Sequence, residues 1–590
     1  MSFNSENTND ATNKSRIPTL LSSKNIPHSP GFPDPYLLIG DAYERASAVD
    51  EWEIADPRSE RLPYLAHIKS LSTSWRTLRH LADWMQVGTT PLRYNVIKHY
   101  PEEVKRRAEK TNVTFIEYQP ATAPKTMPIK SAPELHETLQ SFSYDNAREP
   151  PLRLFVVEDL SQQVIELLGR RFDIDPLFFR EQIDDYVWHN TRDPWASPPS
   201  LISNIKHRQW FRMRNVRLRY HSTEDDYQES RLEAEKWNVL RRPDNDENHW
   251  RYKDKEGSVV SIMRTRTTVW IGKDKECGNG TVGIVLLDPT VKQGHPLWYD
   301  RSNWLPTPSM ETKVYPSVSS SRSWFQDIVQ MTSAYPWFER NEGHEINPQV
   351  LVKPTIYTIC AEWLIVCDYV KARLSQIEWE LEMPDVFRSK GDVIDTSLKR
   401  LHTWRRQIPV FREMLKETLE QALPAAVRLT TCSSHPPATP TSPLSTISLT
   451  APSALSNSLD AFDDITPDFR RVLAAVNELQ ERVDRLTSIV TSEISIEDSR
   501  RGLEENHNMA RITWLATVFI PLTFISGLYS MNESVAALRT TYGWYFLTAI
   551  PFTLIVMAIG WVTGGGSLTP WRQGSKQKET SAWMARNKKR

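Results

Sequence analysis

The spacing of hydrophobic positions changes several times along this chain, and each spacing predicts a different kind of element. Residues 1–60 have no periodic apolar pattern and are rich in Ser, Asn and Pro, so a disordered tail is expected. Over 61–350 short apolar runs alternate with amphipathic stretches. "PLRLFVVED" (151–159) predicts a buried strand, and "SQQVIELLGRRF" (161–172) an amphipathic helix capped by Ser161. "NVRLRYHS", "TTVWIG" and "TVGIVLLD" predict further strands. The expected class is an α/β or α+β cytosolic domain. Over 351–429 the period becomes helical. "YTICAEWLIVCDYVKARLSQIEWEL" lacks Pro and Gly, and a second helix over about 395–423 places Leu401, Ile408, Phe411, Leu415 and Leu419 on one face, with a kink expected at Pro409.

A Ser/Thr/Pro-rich insert follows at 430–462, whose stretch 430–458 contains no Asp, Glu, Lys or Arg and cannot build a core. Thr466-Pro467 then opens a stalk helix over 463–511. Its apolar residues Val472, Val476, Leu479, Val483, Leu486 and Val490 are spaced 4, 3, 4, 3, 4, a heptad seam that requires a helical partner. The 401–422 helix is the intramolecular candidate.

Two charge-free runs close the pattern, "ITWLATVFIPLTFISGLY" (512–529) and "WYFLTAIPFTLIVMAIGWV" (544–562). Each approaches the ~20 residues needed to cross a bilayer. Trp544, Tyr545 and Trp561 stand where interfacial aromatics belong. Residues 563–590 carry seven Lys or Arg and a single acid, Glu579; Arg500, Arg501 and Arg511 precede the first span; the loop 530–543 has only Arg539. The positive-inside rule therefore puts both termini in the cytosol and the loop outside.

Composition adds mainly exclusions. The N-terminal stretch has no apolar h-region and holds Glu6 and Asp10, so it reads as neither a secretory signal nor a mitochondrial presequence. A net charge of −1 points to no nucleic-acid partner. The four cysteines show no metal-binding spacing and read as buried thiols. "GNGTVG" (278–283) fits GxGxxG, but a strand-like run follows it where a dinucleotide site needs a helix, so a glycine-rich hairpin turn is expected. There is no P-loop, HExxH or GxSxG, and no enzyme is expected.

On the first span and the turns before it, Asn506, Met509, Thr513, Ala516, Ile520, Thr523, Gly527 and Ser530 share one helical stripe of mostly small or polar residues. Trp514, Leu515, Phe519, Leu522 and Phe524 lie largely off it. Such a stripe fits either the lining of a symmetric pore or a tight helix–helix seam. Pro521 frees a backbone carbonyl at Thr517, whose hydroxyl is a candidate to compensate.

"MARITWLATVFIPLTFISGLYSMN" (509–532) resembles the end of the CorA-type magnesium channels, a family that also includes the zinc transporter ZntB. Those proteins end in two spans, with a Tyr-Gly-Met-Asn signature where the first span meets the outside. The corresponding residues here are Tyr529, Ser530, Met531 and Asn532. "VIELLGRRFDIDPLFFREQIDD" (164–185) is similar to a cytosolic segment of the same family, and the large soluble region resembles its fungal members. The resemblance implies a funnel-shaped homopentamer whose first spans line one pore, and so selects the pore reading of the stripe. It implies that Tyr529–Asn532 form the filter, with Asn532 offering amide oxygens to a hydrated cation. No resident cofactor is implied; the transported ion is Mg²⁺ or another divalent cation, and the plasma membrane is expected rather than a vacuolar or mitochondrial one. Ser530 departs from the family glycine, and the outer loop lacks the usual Met-Pro-Glu-Leu stretch. That departure motivates a second reading, a non-conducting, membrane-anchored binding or signalling protein on the same fold.

Overall fold

The structure is a computed structural model, and it describes residues 62–88, 97, 100–119, 124–142, 152–183, 200–241, 243–247, 257–297, 310, 323–334, 347–382, 390–431, 462–531 and 538–563. The N-terminal tail, most of the 430–462 insert, Asn532 and the basic C-terminal segment lie outside these residues.

In chain order the first elements are α1 (Pro63–Ser72), α2 (Leu78–Val87), α3 (Pro101–Glu109), β1 (Val113–Tyr118), β2 (Lys125–Ile129), α4 (Ala132–Gln140), β3 (Leu152–Glu158), α5 (Gln162–Phe172) and α6 (Pro176–Ile183). They continue with β4 (Trp210–His221), α7 (Glu224–Glu235), β5 (Pro243–Glu247), β6 (Val259–Asp274), β7 (Gly280–Leu287), β8 (His295–Pro296) and α8 (Trp324–Ala334). The sheet order is β2-β1-β3-β7-β6-β4-β8, with β5 pairing to β6. β3 and β7 run parallel, and the other described pairs are antiparallel. Every residue of β7 is buried, and every residue of β3 except Glu158. That is why both strands read as continuous apolar runs: parallel strands covered on two faces have no polar side to show. At Gly283 in β7 an added methyl would stand 3.1 Å from Leu154 and 3.2 Å from Leu351, so a side chain there would crowd the packing over this strand.

The expected hairpin at 278–283 is present. Gly278 (φ 62°) and Asn279 (φ 55°) carry the chain from β6 into the antiparallel β7. The Asn279 amide donates to the Asp274 carbonyl at 2.9 Å. A strand follows the glycines, so the motif is a turn rather than a phosphate loop.

The 161–172 helix forms as expected, with Ser161 Oγ accepting from Val164 N. Its Glu166 carboxylate accepts from the first amides of α1, Tyr64 N at 2.7 Å and Leu65 N at 2.9 Å. The Tyr64 ring lies over Gly169, where a Cβ would come within 2.3 Å of it, and its hydroxyl donates to Ile174 O at 2.6 Å. Burial holds the Glu166 carboxyl above the usual carboxylate range against those two amides.

The helical part comprises α9 (Lys353–Glu382), α10 (Lys390–Glu417), α11 (Leu423–Thr431), α12 (Thr466–Ser530) and α13 (Leu538–Thr563). On α9, Ile356, Ile359, Trp363, Val366, Val370, Leu374 and Ile377 are buried at steps of three and four. α10 answers with Leu401, Trp404, Ile408, Phe411 and Leu415, while Leu419 beyond it is only half-buried. Trp363 stacks edge-on against Phe411 and Tyr369 against Trp404, which makes α9 and α10 antiparallel neighbours. The α-helical assignment runs through Pro409, and regular geometry breaks later, at a π turn over Thr418–Ala422. Just before it, Glu417 takes Arg212 and Arg214 of β4, which together hold its carboxyl below the usual range although burial works in the other direction.

The heptad seam of α12 is buried within the chain: Val472, Val476, Leu479, Val483, Leu486 and Val490 are each 6% exposed or less. The polar ties along its first turns run to α9. Lys353 and Tyr357 meet Asp464 just before the helix, and Arg482 Nε meets Glu378 at 2.7 Å. The first part of α12 therefore lies alongside α9 and parallel to it, and these ties join it to a helix other than the one expected. Cys277, Cys360 and Cys367 are free and buried, as expected, and burial pushes the last two thiols up to about 12; Cys432 lies outside the described residues.

The chain divides into two compact units, Met1–Ser389 with Lys399–Asp484, and Lys390–Leu398 with Arg485–Arg590.

Candidate pore site

Within the second unit, the last turns of α12 and the body of α13 are long and apolar enough to cross a membrane, and only 11% of each hydrophobic window is buried. Core helices of a soluble domain would be mostly covered. The pair exposes Trp514, Phe519, Phe524, Phe546, Leu547 and Ile555, a surface suited to lipid.

The two helices meet along one seam. On α12 it is marked by the buried Pro521 and Ile525, and on α13 by Ala549 and Thr553. The small residues that permit close approach are thus supplied by α13, four positions apart. Phe524 and Phe552 have ring centroids 6.5 Å apart. Near the C-terminal end of α12, Tyr529 and Tyr545 meet edge to face at 6.2 Å. Thr548 Oγ and Tyr529 Oη lie 3.4 Å apart, and Tyr545 Oη reaches Leu522 O at 3.5 Å.

The stripe points elsewhere. At 3.6 residues per turn, Met509, Ala516, Ile520, Thr523, Gly527 and Ser530 fall within about 40° of the direction opposite Ile525. Thr513 and Asn506 lie at its flank, about 60° and 80° away by the same count. Met509 is 66% and Ile520 65% exposed, and a methyl added at Gly527 would meet nothing within 4 Å. Ala516 is half-buried; Asn506, Thr513, Thr523 and Ser530 are exposed. The chain's own second span therefore does not use the small-residue face.

Of the four signature residues, Ser530 and Met531 are exposed at the helix end, and Met531 is 84% exposed. Tyr529 does not join them. Its ring turns onto α13, because the residue lies on the seam side of the helix. Asn532 is outside the described residues. Thr517 was expected to compensate the carbonyl freed by Pro521, but its hydroxyl donates to Thr513 O at 2.7 Å. A threonine in a helix reaches the preceding turn more easily than its own carbonyl. Thr523 likewise gives its proton to the backbone, with Phe519 O at 3.0 Å and Ile520 O at 2.9 Å, and keeps its lone pairs free. The sequence marked Tyr545 only as an interfacial aromatic and gave Thr548 no role; their signal was two hydroxyls, three residues apart, in a span whose one other hydroxyl is Thr553. Among the described residues no group of three or more His, Cys, Asp or Glu is placed to hold a metal ion.

Residues 343–563 match the family model described as "CorA-like Mg2+ transporter protein". Over 97 residues, 16% of this chain, the sequence is 30% identical to the cobalt/magnesium transport protein CorA of Thermotoga maritima, and the match spans 28% of that relative's length. Among solved structures, the complete CorA magnesium transporter of Methanocaldococcus jannaschii aligns over 76% of this chain and 96% of its own, with a TM-score of 0.34 and 11% identity. The full-length CmaX protein aligns over 75% and 98%, with a TM-score of 0.32 and 9% identity. The matched family is one of transporters rather than enzymes, and its model takes in both candidate spans. Over residues 343–563, then, this chain is similar to the CorA-like Mg²⁺ transporter proteins.

Proposed function

We propose that the chain is one subunit of an oligomeric channel for divalent metal cations, with Mg²⁺ as the ion it passes, and that the first span of each subunit lines the pore. The observation that carries this reading is the orientation of the stripe. Small and polar side chains lie opposite the seam with the second span, where neither lipid nor the chain itself has a use for them. A ring of copies around a water-filled axis does. Mg²⁺ sheds its water reluctantly and prefers oxygen ligands. Neutral hydroxyl and amide oxygens can accept hydrogen bonds from its hydration shell without trapping the ion. Thr523 and Asn506 supply such oxygens along the stripe, and Asn532 would supply them at the mouth. Met509 and Ile520 form apolar constrictions that can gate by dewetting. The distribution of Lys and Arg supports cytosolic termini, and the family resemblance supports five subunits in a plasma membrane.

The test is Mg²⁺ uptake into liposomes by wild type, Asn532→Leu and Ser530→Gly, with oligomer size checked for each. Wild type should conduct, Asn532→Leu should fall to background while still assembling, and Ser530→Gly should keep or raise the flux. Undiminished flux through assembled Asn532→Leu removes the asparagine from the filter. An inert wild type favours the non-conducting reading.

A further inference from the structure

The last turn of α12 is intrinsically weak. It begins at Gly527 and ends at Ser530, both poorer helix formers than alanine, and its final carbonyls have no intrahelical partners. A helix end of this kind frays unless something holds it. In this chain the hold comes from the second span. The Tyr545 ring stands edge-on to the Tyr529 ring at 6.2 Å, its hydroxyl reaches back to Leu522 O, and Thr548 meets the Tyr529 phenol at 3.4 Å.

The Thr548 hydroxyl has one proton and three acceptors in reach. Trp544 O is closest, at 2.9 Å, with Tyr545 O at 3.2 Å. The nearer carbonyl has first claim, so the Thr548 oxygen is left as an acceptor and the Tyr529 phenol as the donor to it. That leaves a polar bridge, Tyr529 to Thr548, braced by Tyr545, on a seam whose other buried hydroxyl, Thr553, donates to Ala549 O of its own helix. In such surroundings a hydroxyl has few other partners to exchange for.

We propose that Tyr545 and Thr548 are positioning residues for ion entry: by anchoring Tyr529 to the second span they set the rotation of the final turn, and so the direction in which Ser530 and Met531 face. The proposal rests on the channel reading above. It gives Tyr529 a structural anchor's part in the signature and gives the second span a share in how a hydrated divalent cation is received.

The experiment measures Mg²⁺ uptake kinetics in liposomes for Thr548→Val, Tyr529→Phe, the double variant and Thr548→Ser, with oligomer size checked for each. Thr548→Val and Tyr529→Phe should each raise the apparent KM on the order of threefold to tenfold, the range one lost hydrogen bond spans. Maximal flux per assembled oligomer should change by less than about twofold, because the lower pore is untouched. The double variant should be no worse than the worse single variant, since both remove the same bond. Thr548→Ser keeps the hydroxyl and should retain the wild-type KM. A wild-type KM in both single variants, effects that multiply in the double variant, or a KM raised equally in Thr548→Ser would overturn the inference while leaving the channel intact. Absence of uptake by wild type would overturn the channel reading and the inference with it.

Discussion

His221 shows how one residue can set a pH limit for the N-terminal sheet domain. It ends β4 fully buried, with one ring nitrogen 3.0 Å from Ser261 Oγ, the other 3.4 Å from Ser230 Oγ, and its ring edge-on to Tyr227. Burial, and then the Arg219 charge, bring its pKa down to about 4. The unfolded chain binds this proton near 6.5, so the folded state takes it up later. The stability contributed is therefore complete above about 6.5 and is lost as pH falls from there towards 4. The loss at the bottom of that window is on the order of 2–3 kcal/mol. Denaturant midpoints followed by tryptophan fluorescence should fall across it in wild type and show a shallower slope in His221→Gln. Equal slopes would show that His221 does not titrate with unfolding. Nothing in "NVRLRYHS" announces this: alternation marks a strand, but the depth of burial depends on Ser230, Tyr227 and Ser261 arriving from other elements.

Among the elements, two of the ion pairs made by α9 differ greatly in value. Arg373 is buried against Asp246 of β5 at 2.6 Å, with Tyr369 donating to the same carboxylate at 2.7 Å. Arg482 of α12 reaches Glu378 at the surface, where that side chain is 37% exposed. Arg373→Met leaves a buried carboxylate short of its charge partner and should cost about 3–5 kcal/mol. Arg482→Met should cost less than about 1 kcal/mol. Comparable midpoint shifts in the two variants would contradict this ranking. The elements themselves were largely legible, because capping, turn and heptad signals are local: the Ser161 cap, the 278–283 turn and the charge-free spans all appear where their residues predict. Pairing was less legible. The 472–490 repeat announced a partner without specifying which helix, since matching apolar faces on 353–382 and 401–422 are equivalent by period alone. The orientation of Tyr529 was hidden for the same reason, being set by Tyr545 and Thr548 rather than by its own neighbours in sequence.

For the whole molecule, the burial of the 472–490 seam shifts the question of assembly. A seam already covered within the chain is not free to recruit copies. From the end of that seam onward, α12 leaves Ile489, Ile496 and Leu503 exposed at 47%, 54% and 63%, one heptad apart. These residues are uncovered within the chain and are the better candidates for contact between subunits. Ile496→Asp should reduce the oligomer in mild detergent, seen by mass photometry, while leaving the tryptophan fluorescence of the N-terminal sheet domain unchanged. Val476→Asp should instead lower the unfolding midpoint, because it puts a charge into a packed interior. An intact oligomer with Ile496→Asp would place the subunit contacts elsewhere.

The backbone bonds of Thr523 have an electrical meaning. With its only proton committed to Phe519 O or Ile520 O, this hydroxyl can present just lone pairs to whatever passes. Water around a cation turns its hydrogens outward, and water around an anion turns its oxygen outward. A ring of such threonines would welcome the first kind of shell and offer nothing to the second. The stripe could then sort ions by sign through the orientation of their water, with no charged side chain in the membrane and none of the desolvation that a buried carboxylate would impose.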